Sequence, residues 1–378
     1  MENTVYFDNS ATTKPCATAI KYINEALTVN WGNPSSLHTL GISAEDELNK
    51  TRECVASLLS CRSDEIFFTS GGTESNNLAI LGAALSRKKR GNRIVTTAVE
   101  HPSVLQTVKL LEEFGFEVIR LHTNLSGKVS EDDIKSAIDK NTILVSIMLV
   151  NNETGAVQPI KTAADAIKES SAPALLHCDA VQAFGKLSIN PAKLGIDLLS
   201  ASGHKIHASK GVGILYKKKG VNIKTLIGGG GQEKGLRSGT EGVVQIAGLR
   251  GAIEEIGNIE ENFKKISTLN SYAREKLLKS GLIKINSPAD ALPYLLNISV
   301  LGYRSETLLH FLDSKGIFVS SGSACAKGEK SYVLTELGLS AKEIDSALRI
   351  SFSRFNKTEE IDILCKALEQ ACNTIRKA

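Results

Sequence analysis

Four residues are of types that do chemistry and stand where ordinary packing does not account for them. Asp179 ends the apolar run ALLHCD, residues 174–179. A carboxylate at the end of a buried strand is costly unless it has a charged or hydrogen-bonding partner. Lys205 follows the next apolar run, DLLSAS (197–202), in the loop GHKIHASKG, and is hard to read as a solvated surface charge. His101 stands just before Pro102 in EHPSV, where the run RIVTTAV ends. Cys325 lies in SSGSACAKGEK, residues 320–330, among small and polar residues, with no second cysteine close enough to pair or to share a metal. Free cysteine is usually a small buried hydrophobe. Glycine and small residues give a loop exposure and movement, which a buried structural thiol does not need. Lys327 and Lys330 favour the thiolate by proximity.

Further polar residues gather at the same kind of position. EIFF (65–68) leads into TSGGTES, where Gly71 and Gly72 allow a tight turn and Thr73 and Glu74 open a helix. Free N–H groups and the positive dipole end suit a phosphate there, although an ordinary strand-to-helix turn reads the same way. Asn151, Asn152 and Glu153 follow the run TILVSIMLV (142–150), and Gln182 follows Asp179. Asparagine in a turn and histidine as a helix cap are the plain alternatives. One cofactor accounts for the set. Pyridoxal 5'-phosphate needs a lysine for a Schiff base and an acidic partner for its ring nitrogen. It also needs a phosphate cradle and a group against its ring face. Lys205, Asp179, the Gly72–Thr73 turn with Ser202 and His204, and His101 supply these in turn.

The elements that must position these residues are short β-branched runs alternating with helical patterns. Seven strands are expected, at 65–68, 93–99, 116–122, 142–150, 174–179, 197–202 and 212–216. Helical stretches fall at 74–86, 102–114, 131–138 and 162–169. Several strands are apolar on both faces, as in a sheet covered by helices on both sides. The pattern predicts a mostly parallel α/β sheet, with ligands beyond the carboxyl ends of its strands. A long helical pattern over 243–280 and a mixed α+β tail follow. The expected division is a large domain, 14–255, and a small domain, 1–13 with 256–378, carrying the cysteine loop.

Composition narrows the classes. A chain of 378 residues is long for one ordinary domain. Charge is nearly balanced, 45 basic against 41 acidic residues, and argues against direct nucleic-acid or anionic-membrane binding. No apolar run reaches membrane-spanning length, and MENTVYFDNS lacks a signal-peptide pattern. Seven cysteines without framework spacing read as reduced thiols in a cytoplasmic protein. Cys365 and Cys372 fall in a terminal helical pattern and read as packing residues. GGGGQEKG (228–235) is no Walker loop, since its lysine is not followed by Ser or Thr. His177, Cys178 and Asp179 cannot converge on a metal, because adjacent strand residues point to opposite faces. No metal site is expected.

The chain resembles the NifS/IscS-type cysteine desulfurases, in the fold group of class V aminotransferases. The resemblance spans about residues 5–356. It is carried by YFDNSATTKP, NPSSLH, FTSGGTESNN, VEHPSV, NNETG, DAVQ, SGHK, GGGQEKGLRSGTE, SSGSACAKG and ALRISFSRFN. It implies the type I fold of pyridoxal-phosphate-dependent transferases, a seven-stranded, mostly parallel sheet with a smaller α+β C-terminal domain. It also implies roles by position. Lys205 matches the Schiff-base lysine, Asp179 the partner of the ring nitrogen, and His101 the residue stacked on the ring that helps move protons. Asn152 and Gln182 match contacts around the ring oxygen. Gly72, Thr73, Ser202 and His204 match the phosphate site. Thr240 is similar to a residue that reaches the phosphate from the other subunit of a homodimer. Arg349, with Asn33 nearby, resembles the group that grips the substrate carboxylate, and Cys325 matches the persulfide-forming cysteine. The implied reaction takes L-cysteine to L-alanine, and the sulfur passes through Cys325 to a thiol-bearing acceptor protein, an iron–sulfur scaffold or a tRNA-thiolation enzyme. Two departures stand out. The loop after Lys205 reads Ile206-His207-Ala208-Ser209, and the stretch between Cys325 and Ser331 is shorter than in scaffold-serving members, which leaves the acceptor open. A selenocysteine lyase, or another pyridoxal-phosphate enzyme of this fold, is the alternative. A non-catalytic sulfur-relay subunit is a further one, against which Lys205, Asp179 and His101 argue.

Overall fold

The computed structural model describes residues 4–321 and 330–377; Cys325 and Lys327 lie outside the described residues. After a short β1 (Val5–Tyr6) come the strands of the main sheet: β2 (Ile66–Thr69), β3 (Arg93–Thr97), β4 (Glu117–Leu121), β5 (Thr142–Ser146), β6 (Leu175–Asp179), β7 (Leu198–Ser202) and β8 (Gly213–Lys217). They form one seven-stranded sheet in the order β2-β8-β7-β6-β5-β3-β4. The β4-β3-β5-β6-β7 pairings are parallel, and only β8 runs antiparallel to its neighbours. Every residue of β2, β5, β6 and β7 is buried, because helices cover both faces. The two-residue period of a strand divides the sheet between two cores. Val145, Leu176, Leu199 and Ile214 enter one, and Leu144, Leu175, Leu198 and Leu215 the other.

A second, four-stranded antiparallel sheet is built from the C-terminal part. Its members are β9 (Ile283–Ile285), β10 (Leu295–Val300), β12 (Ser320–Ser321) and β13 (Ala347–Ser351), in the order β12-β13-β10-β9. Strand β11 (Ile317–Phe318) pairs instead with β1, Val5 opposite Ile317. The chain's N-terminal strand is thereby tied to its C-terminal part. No helix among the described residues is long and apolar enough to cross a membrane.

Two elements differ from the sequence reading. The run TILVSIMLV leaves the ladder after Ser146, although Ile147 and Leu149 still donate backbone bonds to His177 and Asp179. The helical pattern over 243–280 is two helices, Val243–Ile256 and Ile259–Leu278. Gly257 takes a left-handed φ of 65°, and the Asn258 side chain caps the second helix by accepting from the amides of Glu260 and Glu261.

His177 and Cys178 have structural surroundings. The His177 ring links three strands, with Nδ1 2.8 Å from Ser146 Oγ and Nε2 3.0 Å from Ser200 Oγ. Burial pushes its pKa down to about 3. Cys178 is fully buried on the opposite face. Cys365 and Cys372 lie in the last helix, Thr358–Thr374, half-buried against the core.

A neutral, buried imidazole has a defined pH signature. Its contribution is fully present above the ordinary histidine pKa of about 6.5 and is lost as pH falls from there toward about 3. The urea midpoint of the wild type is expected to fall across that window. At neutral pH, His177→Ala is expected to cost about 2–4 kcal/mol in the same measurement, because it strands two buried serine hydroxyls.

Candidate active site

A cavity of about 300 Å³ opens over the carboxyl ends of the central strands. Gly72, Thr73, His101, Asn152, Asp179, Gln182, Ser202, His204, Lys205 and Arg349 all line it. Asn33 and Thr240 are solvent-exposed and lie outside its wall, and Cys325 falls outside the described residues.

Asp179 ends β6 and is only 4% exposed. Its Oδ1 accepts from the Val181 amide at 3.0 Å, and its Oδ2 from Asn76 Nδ2 at 2.8 Å. Asn76 lies one turn into the helix Gly72–Arg87, whose first residues, Gly72 and Thr73, line the cavity. A Cβ at position 72 would stand 2.7 Å from Val181 Cγ2, so glycine is what lets this helix begin against the end of β6. Asn76 Nδ2 also donates to Ser103 Oγ at 2.9 Å, and Ser103 Oγ lies 2.8 Å from His101 Nδ1. The Ser103 amide donates to that same Nδ1 at 3.1 Å, which leaves the proton of the neutral ring on Nε2. Burial holds His101 below its ordinary pKa, against the pull of the Asp179 charge, while Lys205 adds to the lowering.

Lys205 closes a single turn after β7. Its Nζ donates to the carbonyls of Ser10 at 2.5 Å and Ala11 at 2.7 Å. The N-terminal segment is thus laid across the cavity, held further by the bond of the Thr13 amide to the His204 carbonyl at 2.9 Å. His204 Nδ1 lies 3.2 Å from Thr12 Oγ1, and burial, with Lys205 beside it, pushes that ring down to about 4.

Arg349 rises from β13 with a guanidinium fixed at both ends. Nη1 donates to the Asn152 carbonyl at 3.1 Å, and Nη2 to Asp8 Oδ1 at 3.1 Å. Burial raises the Asp8 carboxyl, against the lowering effect of Arg349. Among the described residues, Arg349 Nε, Asn152 Oδ1 and Asn76 Oδ1 are buried without a hydrogen-bond partner. Orphaned polar atoms of this kind cost about 1–3 kcal/mol each, and these three residues share the wall of one cavity. On the same side, Glu153 Oε2 accepts from Ser331 Oγ at 2.5 Å, and burial pushes its pKa up to about 7. Ser320 pairs with Arg349 across β12 and β13. The described residues on either side of 322–329 are therefore fixed next to Arg349 and to the neighbour of Asn152.

The donor set fits the cofactor expected from the sequence. The helix amides at Gly72, with Thr73, Ser202 and His204, suit a phosphate; a buried carboxylate suits a protonated ring nitrogen; Lys205 supplies an amine. Sequence reasoning missed Asn76, Ser103, Ser10 and Asp8. The one local signal was that Asn76 falls four residues after Gly72, on the same helical face.

The class-V aminotransferase family model matches residues 5–364. A cysteine desulfurase IscS of Clostridium botulinum is 43% identical over 375 residues, covering 97% of this chain and 94% of that protein. The solved structure of a NifS-like protein superposes with a TM-score of 0.93 at 38% identity, covering 99% of this chain and all of the other. A structure described as SspA in complex with cysteine gives a TM-score of 0.82 at 34% identity, covering 94% of this chain and 100% of that one.

Asn76 supplies one of the two N–H donors to Asp179. Asn76→Ala is expected to weaken binding of pyridoxal 5'-phosphate about tenfold, as loss of one hydrogen bond to a charged group implies. Asn76→Asp, which sets a second carboxylate against Asp179, is expected to weaken it further. Equilibrium dialysis of the full-length variants measures both.

Proposed function

The chain belongs to the class-V aminotransferase family, and from that premise we propose that it is a pyridoxal-phosphate-dependent cysteine desulfurase, converting L-cysteine to L-alanine and passing the sulfur to Cys325 as a persulfide. The observation that carries this reading is the convergence of Lys205, Asp179, His101 and Arg349 on one cavity. Relatives named cysteine desulfurase match over nearly the full length of the chain.

When bound, the cofactor supplies an electron sink that loosens bonds at the substrate's α-carbon. Asp179, held by Asn76 and the Val181 amide, keeps the proton on the ring nitrogen. Thr73, Ser202, His204 and the first amides of the helix Gly72–Arg87 hold the phosphate. Arg349, already oriented by Asp8 and the Asn152 carbonyl, takes the substrate carboxylate in a bidentate pair. Lys205 Nζ moves the α-proton, and His101, with its proton on Nε2, covers the ring face. The Cys325 thiolate attacks the substrate sulfur, the carbon–sulfur bond breaks, and protonation of the remaining carbon skeleton gives alanine.

The functional unit is a homodimer in which Thr240 of one subunit reaches the phosphate held by its partner. Exposed apolar side chains support this: Leu27 is 56%, Trp31 63% and Leu37 97% exposed, in the stretch that also carries Asn33. The six described cysteines are free thiols, which supports a reducing, cytoplasmic setting. The acceptor is a thiol-bearing protein of iron–sulfur cluster assembly or tRNA thiolation.

Wild-type protein given L-cysteine and a reductant is expected to form alanine and sulfide in equal amounts. Cys325→Ala is expected to keep the cofactor's absorbance and form neither product. Keto acid in place of alanine, or equal activity in the two proteins, rejects the assignment. Sedimentation of the wild type is expected to give twice the chain mass.

A further inference from the structure

Lys186 is a buried lysine that the reaction described above does not use. It is 7% exposed, in the turn that follows β6. Its Nζ donates to Gln182 Oε1 at 3.3 Å and lies 5.7 Å from the Tyr294 ring centre. Burial pushes its pKa down to about 7, and the charges that add to this, those of Lys205 and Arg349, are both positive. Among the described residues, no acidic group offsets the cost of burying this amine. An ammonium in that position lowers stability, and replacing such a group by an apolar one of similar shape is often neutral or stabilising.

What Lys186 does is visible in the amide it touches. A carboxamide has one accepting and one donating end, and either end fits the same space. In its protonated form Lys186 can only donate, and it meets Gln182 Oε1, with Gln182 Nε2 turned toward the Ser10 carbonyl. Gln182 Nε2 then donates to the Ser10 carbonyl at 3.0 Å, the same oxygen that accepts from Lys205 Nζ at 2.5 Å. Lys186, Gln182, Ser10 and Lys205 form a continuous relay. Were the amide reversed, its oxygen would face the Ser10 carbonyl, and two acceptors would repel beside the reactive amine.

We infer that Lys186 is a positioning residue for Lys205: it locks the orientation of the Gln182 carboxamide and, through the shared Ser10 carbonyl, sets where the Lys205 amine rests. This rests on the pyridoxal-phosphate reading of the cavity and names a residue that supports it from behind.

The test uses full-length protein stripped of cofactor and then given pyridoxal 5'-phosphate. The readout is the yellow absorbance that appears as an amine condenses with the cofactor's aldehyde and releases water. Lys186→Met is expected to melt at or above the wild-type temperature, yet to gain the band about tenfold more slowly, equivalent to one lost hydrogen bond. Lys186→Arg, whose guanidinium can only donate, is expected to stay near the wild-type rate. Gln182→Glu keeps the contact with Lys186 but removes the donor to Ser10, and is expected to be slowed as Lys186→Met is. The double variant Lys186→Met with Gln182→Glu is expected to be no slower than either alone. A lower melting temperature with a wild-type rate in Lys186→Met makes the residue structural and overturns the inference. Should that variant not fold, a wild-type rate in Gln182→Glu overturns it equally. Failure of the wild type itself to gain the band rejects the cofactor reading instead.

Discussion

A carboxylate at the end of a fully buried strand sets the terms for everything around it. Asp179 cannot be left without donors, and water reaches little of it. One donor comes from its own turn, through Val181; the other must come from a neighbouring element. That requirement explains the entry of the helix Gly72–Arg87. The helix starts close enough to β6 for Asn76 to reach Asp179, an approach so tight that a Cβ at position 72 would force the Val181 side chain to shift. Asn76 then holds Ser103, and Ser103 holds the His101 ring at the start of the next helix. One desolvated charge thus orders two strand-to-helix turns and the turn after β6 into a single hydrogen-bonded wall.

The balance of charge in the cavity follows from which groups are allowed to ionise. His101, His177 and His204 are all held below the ordinary histidine pKa by burial. Glu100 and Glu153 are raised by burial, to about 8 and about 7, so neither carries a full negative charge at neutral pH. The cations Lys205 and Arg349 therefore face Asp179 and Asp8, whose carboxyl burial raises against the lowering effect of Arg349. Such a field suits ligands bearing a phosphate and a carboxylate, and leaves Asp179 as the local match for a cationic ring nitrogen.

Much of this was legible in the sequence where a single strand end carried the information. ALLHCD and DLLSAS announce themselves as buried strands, so a charged residue closing or following either one is conspicuous. The seven-stranded sheet was readable for the same reason, since runs apolar on both faces have few other places to go. What was not legible depends on pairs far apart in the chain. Ser10 and Lys205, Asp8 and Arg349, and Asn76 and Asp179 meet only because the N-terminal segment is drawn across the cavity and the helix docks on β6. No period or spacing encodes those meetings. The single helix expected over 243–280 failed on a local detail: hydrophobic period continues through Gly257 and Asn258, whereas the backbone conformation of the glycine and the cap formed by the asparagine break it.

The orphaned atoms carry the last step. Asn76 Oδ1, Asn152 Oδ1 and Arg349 Nε are buried in one wall and have no hydrogen-bond partner among the described residues. A wall that satisfied them internally would be more stable and would offer a ligand nothing. Leaving them open charges their desolvation to the folded chain, and any ligand that supplies the missing partners returns that free energy as binding. Binding to the folded state alone stabilises it in proportion to ligand concentration over the dissociation constant. The same atoms that make the site specific therefore make the fold dependent on what fills it. Arg349 ties that dependence to the second sheet: it stands on β13, is oriented by Asp8 near the N-terminus and by the loop after β5, and so makes the cavity one of the places where the two sheets are linked.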